Sequence, residues 1–124
     1  MLDFGLKVEA PLSEWKHSVE NLRLLESPEL RKPILISAFA GWADAQEGGT
    51  RCVRYLIRHL GATKYAEIDP EEFYDFTTVR PVAFNTPEGE RSIRWPKNEL
   101  YYLKREHADN DLLFLLATEP SLRW

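Results

Sequence analysis

The sequence predicts an α/β fold built on a mostly parallel sheet, and three observations carry that expectation. An uncharged apolar run, Ile34-Leu35-Ile36-Ser37-Ala38-Phe39, passes through a glycine-bearing turn into an amphipathic stretch that ends at Leu60. Leu112 to Ala117 is the most apolar segment of the chain. Between them, Lys64 to Ile68 alternates as a half-exposed strand. Continuous apolar runs of this length suit strands buried on both faces of a parallel sheet. Strand, helix and strand then form one unit with the usual right-handed connection.

The helix is expected from Asp44 to Leu60. Asp44 stands as its N-cap, with Glu47 three residues later as in a capping box, and both carboxylates favour the positive end of the helix dipole. Cys52, Val53, Leu56, Ile57 and Leu60 form an apolar stripe, Arg51, Arg54 and Arg58 fall on another face, and Gly61 closes the C-terminus. As the only cysteine, Cys52 permits no intrachain disulfide. On the stripe it reads as a core thiol in a reducing compartment, which suggests a cytoplasmic protein. Gly48 and Gly49 each disfavour a helix by about 1 kcal/mol relative to Ala. Either close packing of helix on sheet or the approach of an anion to the helix N-terminus explains them.

The remaining segments follow in order. Residues 1–21 read as an N-terminal extension, with a short helix after Ser13, and Leu22 to Glu26 as an edge strand ended by Ser27-Pro28. Asp69-Pro70-Glu71-Glu72 is a helix-start signal leading into Phe73-Tyr74-Asp75-Phe76. Val82 to Trp95 reads as a hairpin around Pro87-Glu88-Gly89-Glu90, inserted off the main sheet. Glu99 to Arg105 alternates as a further strand before the turn at His107 to Asn110.

Composition narrows the class. A chain of 124 residues with 44% hydrophobic and 29% charged residues is one ordinary globular domain at most. A formal net charge of -4 argues against nucleic-acid binding. The longest unbroken apolar run, Leu112 to Ala117, falls far short of the roughly 20 residues of a membrane helix. One strong helix for at least three strands leaves the layers of a parallel sheet uncovered. Residues 22–124 are therefore expected to be the N-terminal part of a single, longer α/β domain.

Several separated motifs in order support a kinship. Phe39 to Ala45, Ala66 to Phe76, Arg80-Pro81, Ile93 to Pro96 and Glu119 to Trp124 together resemble the proteasome assembly chaperone 2 family, above all its actinobacterial members. The resemblance implies a three-layer αβα sandwich with a mostly parallel sheet, similar to the nucleoside phosphorylase and peptidyl-tRNA hydrolase type. Eukaryotic relatives help to assemble the proteasome α-ring. Bacterial members are oligomeric proteins without a settled activity, some labelled by analogy as ATP-grasp ligases. No catalytic set or cofactor comes with the resemblance.

In open α/β sheets the crevice lies beyond the carboxyl ends of the strands. Candidates there are Gly41, Trp42 and Asp44 with Gly48 and Gly49, then Asp69, Tyr74, Asp75 and Arg80, then Glu119, Arg123 and Trp124. Asp44 reads as a cap or a site acid. Trp42 and Trp124 read as core, interface or ligand platform, and Arg80 and Arg123 as ion-pair partners for the acids of Asp69 to Asp75. Four carboxylates and a tyrosine within eight residues raise the question of a metal. Capping accounts for Asp69, Glu71 and Glu72, and no oxygen-ligand loop with a conformational glycine is present, so no metal is expected. Two functions remain. One is an oligomeric scaffold or assembly-chaperone-like protein that binds protein partners, proteasome-related ones among them. The other is a nucleotide- or nucleoside-binding enzyme that holds an anion at the Gly41 to Gly49 loop, with Asp75 or Glu119 as polar partner. The chain has no GxxxxGK[ST] or GxGxxG, and no lysine follows Gly48-Gly49-Thr50.

Overall fold

The computed structural model describes residues 21–71 and 73–121. Seven strands lie among the described residues: β1 (Leu22–Leu24), β2 (Ile34–Ala40), β3 (Thr63–Ile68), β4 (Val82–Asn85), β5 (Arg91–Arg94), β6 (Asn98–Leu103) and β7 (Leu112–Thr118). One α-helix, α1 (Gly48–Leu60), lies among the described residues. Five strands form a sheet in the order β1-β3-β6-β7-β2, and β4 pairs with β5 in a separate hairpin.

The sheet is mixed, which corrects the mostly parallel expectation. Among the described strands only β2 and β7 pair in parallel, while β1 with β3, β3 with β6, and β6 with β7 are antiparallel. Connectivity is the reason. Neighbouring parallel strands need a crossover, whereas β6 reaches β7 through a turn and Ile68 of β3 lies opposite Asn98 of β6, so each chain simply reverses. β3 does run in the same direction as β2, but β7 and β6 lie between them.

Leu112 to Thr118 takes an inner position, paired on both sides. The Ile34 run does not: β2 ends the described sheet, and Ile34 and Leu35 are 46% and 44% exposed, which corrects the expectation of a strand buried on both faces. An apolar run reads the same at an edge as at the centre. Helix α1 covers one face of β2 and β7. Ala38, Val53, Ile57 and Phe114 form the core there, with Ile36, Leu56 and Leu116 packed against it. Burial of Val53 and Ile57 stabilises by about 1.5–3 kcal/mol each. Farther along the same face, Lys64 bonds Glu67 and lies 3.4 Å from Glu99. That part of the face carries charged side chains.

Two details of the helix differ from the expectation. It begins at Gly48, after a short 3₁₀ turn at Ala45–Glu47 in which Gln46 and Glu47 adopt positive φ. Glu47 makes no capping box and pairs instead with Arg51 at 3.0 Å. Cys52 is exposed rather than buried, because the stripe that meets the sheet is Thr50, Val53 and Ile57 and Cys52 lies on its flank. Gly61 closes the helix in the left-handed conformation, as its sequence position requires. After Asp69 the described residues form a turn, with Phe73 and Tyr74 N–H donating to the Pro70 carbonyl at 3.0 and 3.2 Å, and not the helix that the start signal led to expect. Tyr74 is buried, and a second turn follows, in which the Thr78 and Val79 N–H donate to the Asp75 carbonyl at 2.9 and 2.8 Å. The helix expected after Ser13 lies outside the described residues.

Asp111, at the amino end of β7, is 1% exposed. Its carboxylate accepts the Arg31 N–H at 2.7 Å and the Arg105 N–H at 2.9 Å, with the Arg31 guanidinium at 3.4 Å. Burial would raise this carboxyl, but the two amides and the guanidinium outweigh it and hold it below the ordinary aspartate value. The folded chain therefore keeps the charge to lower pH than the unfolded chain. Its stabilisation is complete above the unfolded pKa of about 3.9 and is lost as pH falls through the folded value. Asp111→Ala should lower stability at neutral pH by about 2–4 kcal/mol, since it strands two buried amides. Urea unfolding at neutral pH and at pH near 3 measures both effects: the gap between parent and variant should narrow in acid.

Candidate functional site

The carboxyl ends of β2, β7 and β3 and the amino end of β6 meet at one end of the sheet. Ala40 and Thr118 are register partners there, as are Ile68 and Asn98. Four segments leave from this end, and hydrogen bonds tie them together.

The first bond set joins β2 to β7. Glu119 N–H donates to the Ala40 carbonyl at 2.7 Å, and its Oε2 accepts the Trp42 N–H at 3.1 Å. Gly41, at φ +155°, makes room for this. A Cβ there would lie 2.5 Å from Glu119 Oε2 and 2.8 Å from Glu119 Cβ, so only glycine fits. The Trp42 side chain is 98% exposed, which removes the core reading of that residue.

Asp44 holds the start of α1. Its Oδ1 accepts the Gly49 N–H at 2.8 Å and the Thr50 N–H at 3.2 Å, and its Oδ2 accepts the Thr50 hydroxyl at 2.5 Å. The Thr50 hydroxyl and the two amides hold the carboxyl below its ordinary pKa. Asp44 thus caps the helix from four residues upstream of its first residue. Gly48 and Gly49 are not equivalent. A Cβ on Gly48 meets nothing within 4 Å, whereas one on Gly49 would lie 3.0 Å from Asp44 Oδ1 and 3.9 Å from the Ala38 Cβ. The amides of Asp44, Glu47 and Gly48 are also used within the loop, by the carbonyls of Gly41, Asp44 and Ala45. The place where a helix N-terminus would take an anion is filled by the chain's own carboxylate.

The loop after β3 is fixed by Tyr74. This buried side chain places its hydroxyl 2.6 Å from both Asn98 Oδ1 and the Thr118 carbonyl, and Asn98 Oδ1 also accepts the Thr118 N–H at 3.1 Å. Burial raises the Tyr74 pKa, partly offset by these bonds. Asp69 Oδ1 accepts the Glu71 N–H at 2.9 Å. Asp75 accepts the Thr77 N–H and hydroxyl at 2.9 and 2.6 Å, which lowers its carboxyl below the usual range, so Asp75 is a turn residue. Its own N–H donates to Ser121 Oγ at 2.8 Å. Arg80 forms no ion pair among the described residues. Its Nε donates to the Thr77 carbonyl at 3.0 Å, because the turn at Asp75 already satisfies the neighbouring carboxylate. Arg123, Trp124 and Glu72 lie outside the described residues.

The structure therefore brings Gly41, Trp42, Asp44, Asp69, Tyr74, Asp75 and Glu119 to one end of the sheet. Ser121, from the segment that begins at Glu119, joins them through the Asp75 N–H, and Asn98 joins them without having been anticipated. Asn98 follows Pro96-Lys97, which reads as a break, and only its partners reveal its role. A hollow of about 90 Å³ lies beside them, lined by Ile68, Pro70, Pro96 and Asn98 among others, small against the roughly 300 Å³ where ligand pockets begin. A larger, open hollow of about 480 Å³ runs along the outer face of α1 between Arg51, Arg54, Tyr55, Arg58 and His59, away from the strand ends. Among the described residues no group of three or more His, Cys, Asp or Glu is placed to hold a metal ion.

A model of the PAC2 family matches residues 38–124. The chain belongs to the PAC2 family. Its fold is similar to that of solved actinobacterial proteins. A PAC2 family protein from Streptomyces avermitilis shares 33% identity at a TM-score of 0.63, over 75% of this chain and 40% of that one. A proteasome-assembly chaperone homologue from Mycobacterium tuberculosis shares 30% identity at a TM-score of 0.62, over 73% and 38%. A protein of unknown function from Corynebacterium glutamicum shares 27% at 0.59, over 84% and 41%. The chain thus spans about two fifths of the length of these relatives. A search of curated proteins gives no significant match.

Two substitutions separate the readings of the paired glycines. Gly48→Ala should stabilise by about 0.5–1 kcal/mol, the helix-propensity gain at an open position. Gly49→Ala should forfeit that gain by pressing on Asp44, and thermal unfolding of the two variants beside the parent measures the difference. Tyr74→Phe should lower stability by about 1–1.5 kcal/mol by deleting the hydroxyl shared between Asn98 and Thr118.

Proposed function

We infer that this PAC2 family chain works by binding protein, as part of an oligomeric scaffold or assembly-chaperone-like protein in the cytoplasm. The observation that carries the reading is the strand end itself. Amides and carboxylates there engage one another, at Glu119 with Trp42 and at Asp44 with Gly49, and the Trp42 side chain is 98% exposed. Exposed aromatic side chains on a braced frame suit a protein interface, where such residues anchor binding. The naming of the Mycobacterium tuberculosis relative as a proteasome-assembly chaperone homologue favours partners related to the proteasome. The whole protein is proposed to form a three-layer αβα sandwich of the nucleoside phosphorylase and peptidyl-tRNA hydrolase type, with further helices on the sheet face that α1 leaves free. No helix among the described residues is long and apolar enough to cross a membrane. The filled helix N-terminus counts against the nucleotide-binding enzyme.

Tagging at the native locus, gentle purification and mass measurement test this. A stoichiometric protein partner should co-elute, and Trp42→Ala should reduce its recovery. Recovery of the chain with a bound nucleotide and no protein partner would replace the scaffold reading by the enzyme one.

A further inference from the structure

Helix α1 buries Thr50, Val53 and Ile57, and its outer side carries Arg51, Arg54, Tyr55, Arg58 and His59, all exposed. Its 13 residues hold three of the chain's 16 Lys and Arg and none of its 20 Asp and Glu. A chain of net charge -4 thus presents one helix face whose charges are all cationic.

Helix stability does not account for this row. Cations suit the last turn, where they meet the negative end of the helix dipole, and that covers Arg58 and His59. Arg54 lies a turn earlier. Its spacing to Arg51 and to Arg58 sets like charges three and four residues apart, an arrangement that destabilises a helix.

One carboxylate of the chain shows how the row takes an acid. Glu47 Oε2 accepts from Arg51 Nε and Nη2 at 3.1 and 3.0 Å. Arg54 and Arg58 form no ion pair among the described residues. Arg54 acts on Asp44 by charge, but the Asp44 oxygens are bonded to Gly49 and Thr50. The rings of Tyr55 and His59 stack with centroids 5.1 Å apart and planes 11° apart, and they line the same open hollow of about 480 Å³ as the three arginines.

We propose that the outer face of α1 docks an acidic segment of a partner protein, whose carboxylates pair with Arg54 and Arg58 and extend the row that Glu47 begins. Arginine suits this task, since its planar fork binds a carboxylate through parallel N–H groups. Arg51 to Arg58 rises about 10 Å along the helix, the reach of a few acidic residues. That is too short for the string of phosphates that a nucleic-acid surface neutralises. Outside α1, Asp and Glu outnumber Lys and Arg, which repels an extended polyanion. The inference goes beyond the strand-end reading: it concerns another surface and holds whether or not Trp42 meets a partner.

Fluorescence anisotropy of labelled decaglutamate, titrated with the purified chain at low salt, decides it. Binding should saturate and should weaken as salt rises. Arg54→Ala with Arg58→Ala should weaken it by about tenfold or more, as expected for the loss of two charge-assisted contacts. Alanine favours a helix at both positions, so circular dichroism should show the fold retained. Arg91→Ala with Lys104→Ala removes the same charge elsewhere and should leave the affinity unchanged. An oligothymidylate of equal length should bind more weakly than decaglutamate. A parent that does not bind, equal losses in the two double variants, or an oligothymidylate that binds as tightly as decaglutamate overturns the proposal. No native partner enters this titration, so its failure leaves the strand-end reading standing.

Discussion

The parallel pairing of β2 with β7, pinned by a carboxylate at each end of β7, is the constraint on which the rest of the structure depends. At the amino end Asp111 gathers the backbone amides of Arg31 and Arg105, so the segments entering β2 and leaving β6 meet at one buried charge. At the other end Glu119 binds the Trp42 amide and sets the direction in which the β2 loop leaves the sheet. Between them Phe114, fully buried, receives Val53 and Ile57 of α1. A shift in the register of β7 would break both end contacts and turn Phe114 to the other face, because side chains alternate along a strand. The loops at the strand end are held by the same register that holds the core.

Much of this was legible where a local rule applies. Gly61 ends α1 because only a left-handed residue continues there without strain, and the hairpin follows from Pro and Gly between alternating runs. The gathering of Gly41, Asp69 and Glu119 at one end follows from strand direction alone. Strand neighbours were less legible. The Ile34 run contains no charge, so nothing in its composition separates an edge strand from a central one, and the order β7-β2 is decided by contacts far apart in sequence. Asp44 shows the same limit on a smaller scale. Its identity marked a cap, but the interposed 3₁₀ turn, with Gln46 and Glu47 at positive φ, moved the helix start without moving the capping carboxylate. Asn98 and Asp111 carried no signal, because a buried polar residue is recognised by its partners and not by its neighbours in the chain.

The glycines of the strand end show how geometry redirects a functional reading. A glycine-bearing loop ahead of a helix suggests an anion site, since bare backbone and the helix dipole suit a phosphate. Here each close approach is made by a side chain of the same chain: Glu119 against Gly41, and Asp44 against Gly49. Both carboxylates sit where an external anion would sit, and displacing either would break a strand-end bond or uncap α1. A phosphate would have to compete with an intramolecular carboxylate already in place. The polar groups of this end are thus committed to holding the frame, and the groups left to meet a partner are apolar or carry unpaired charge. Trp42, Val82 and Ile93 are of the apolar kind. Burying such groups requires a surface broader than a small ligand can offer, and that is the physical reason for seeking a protein at this end of the sheet.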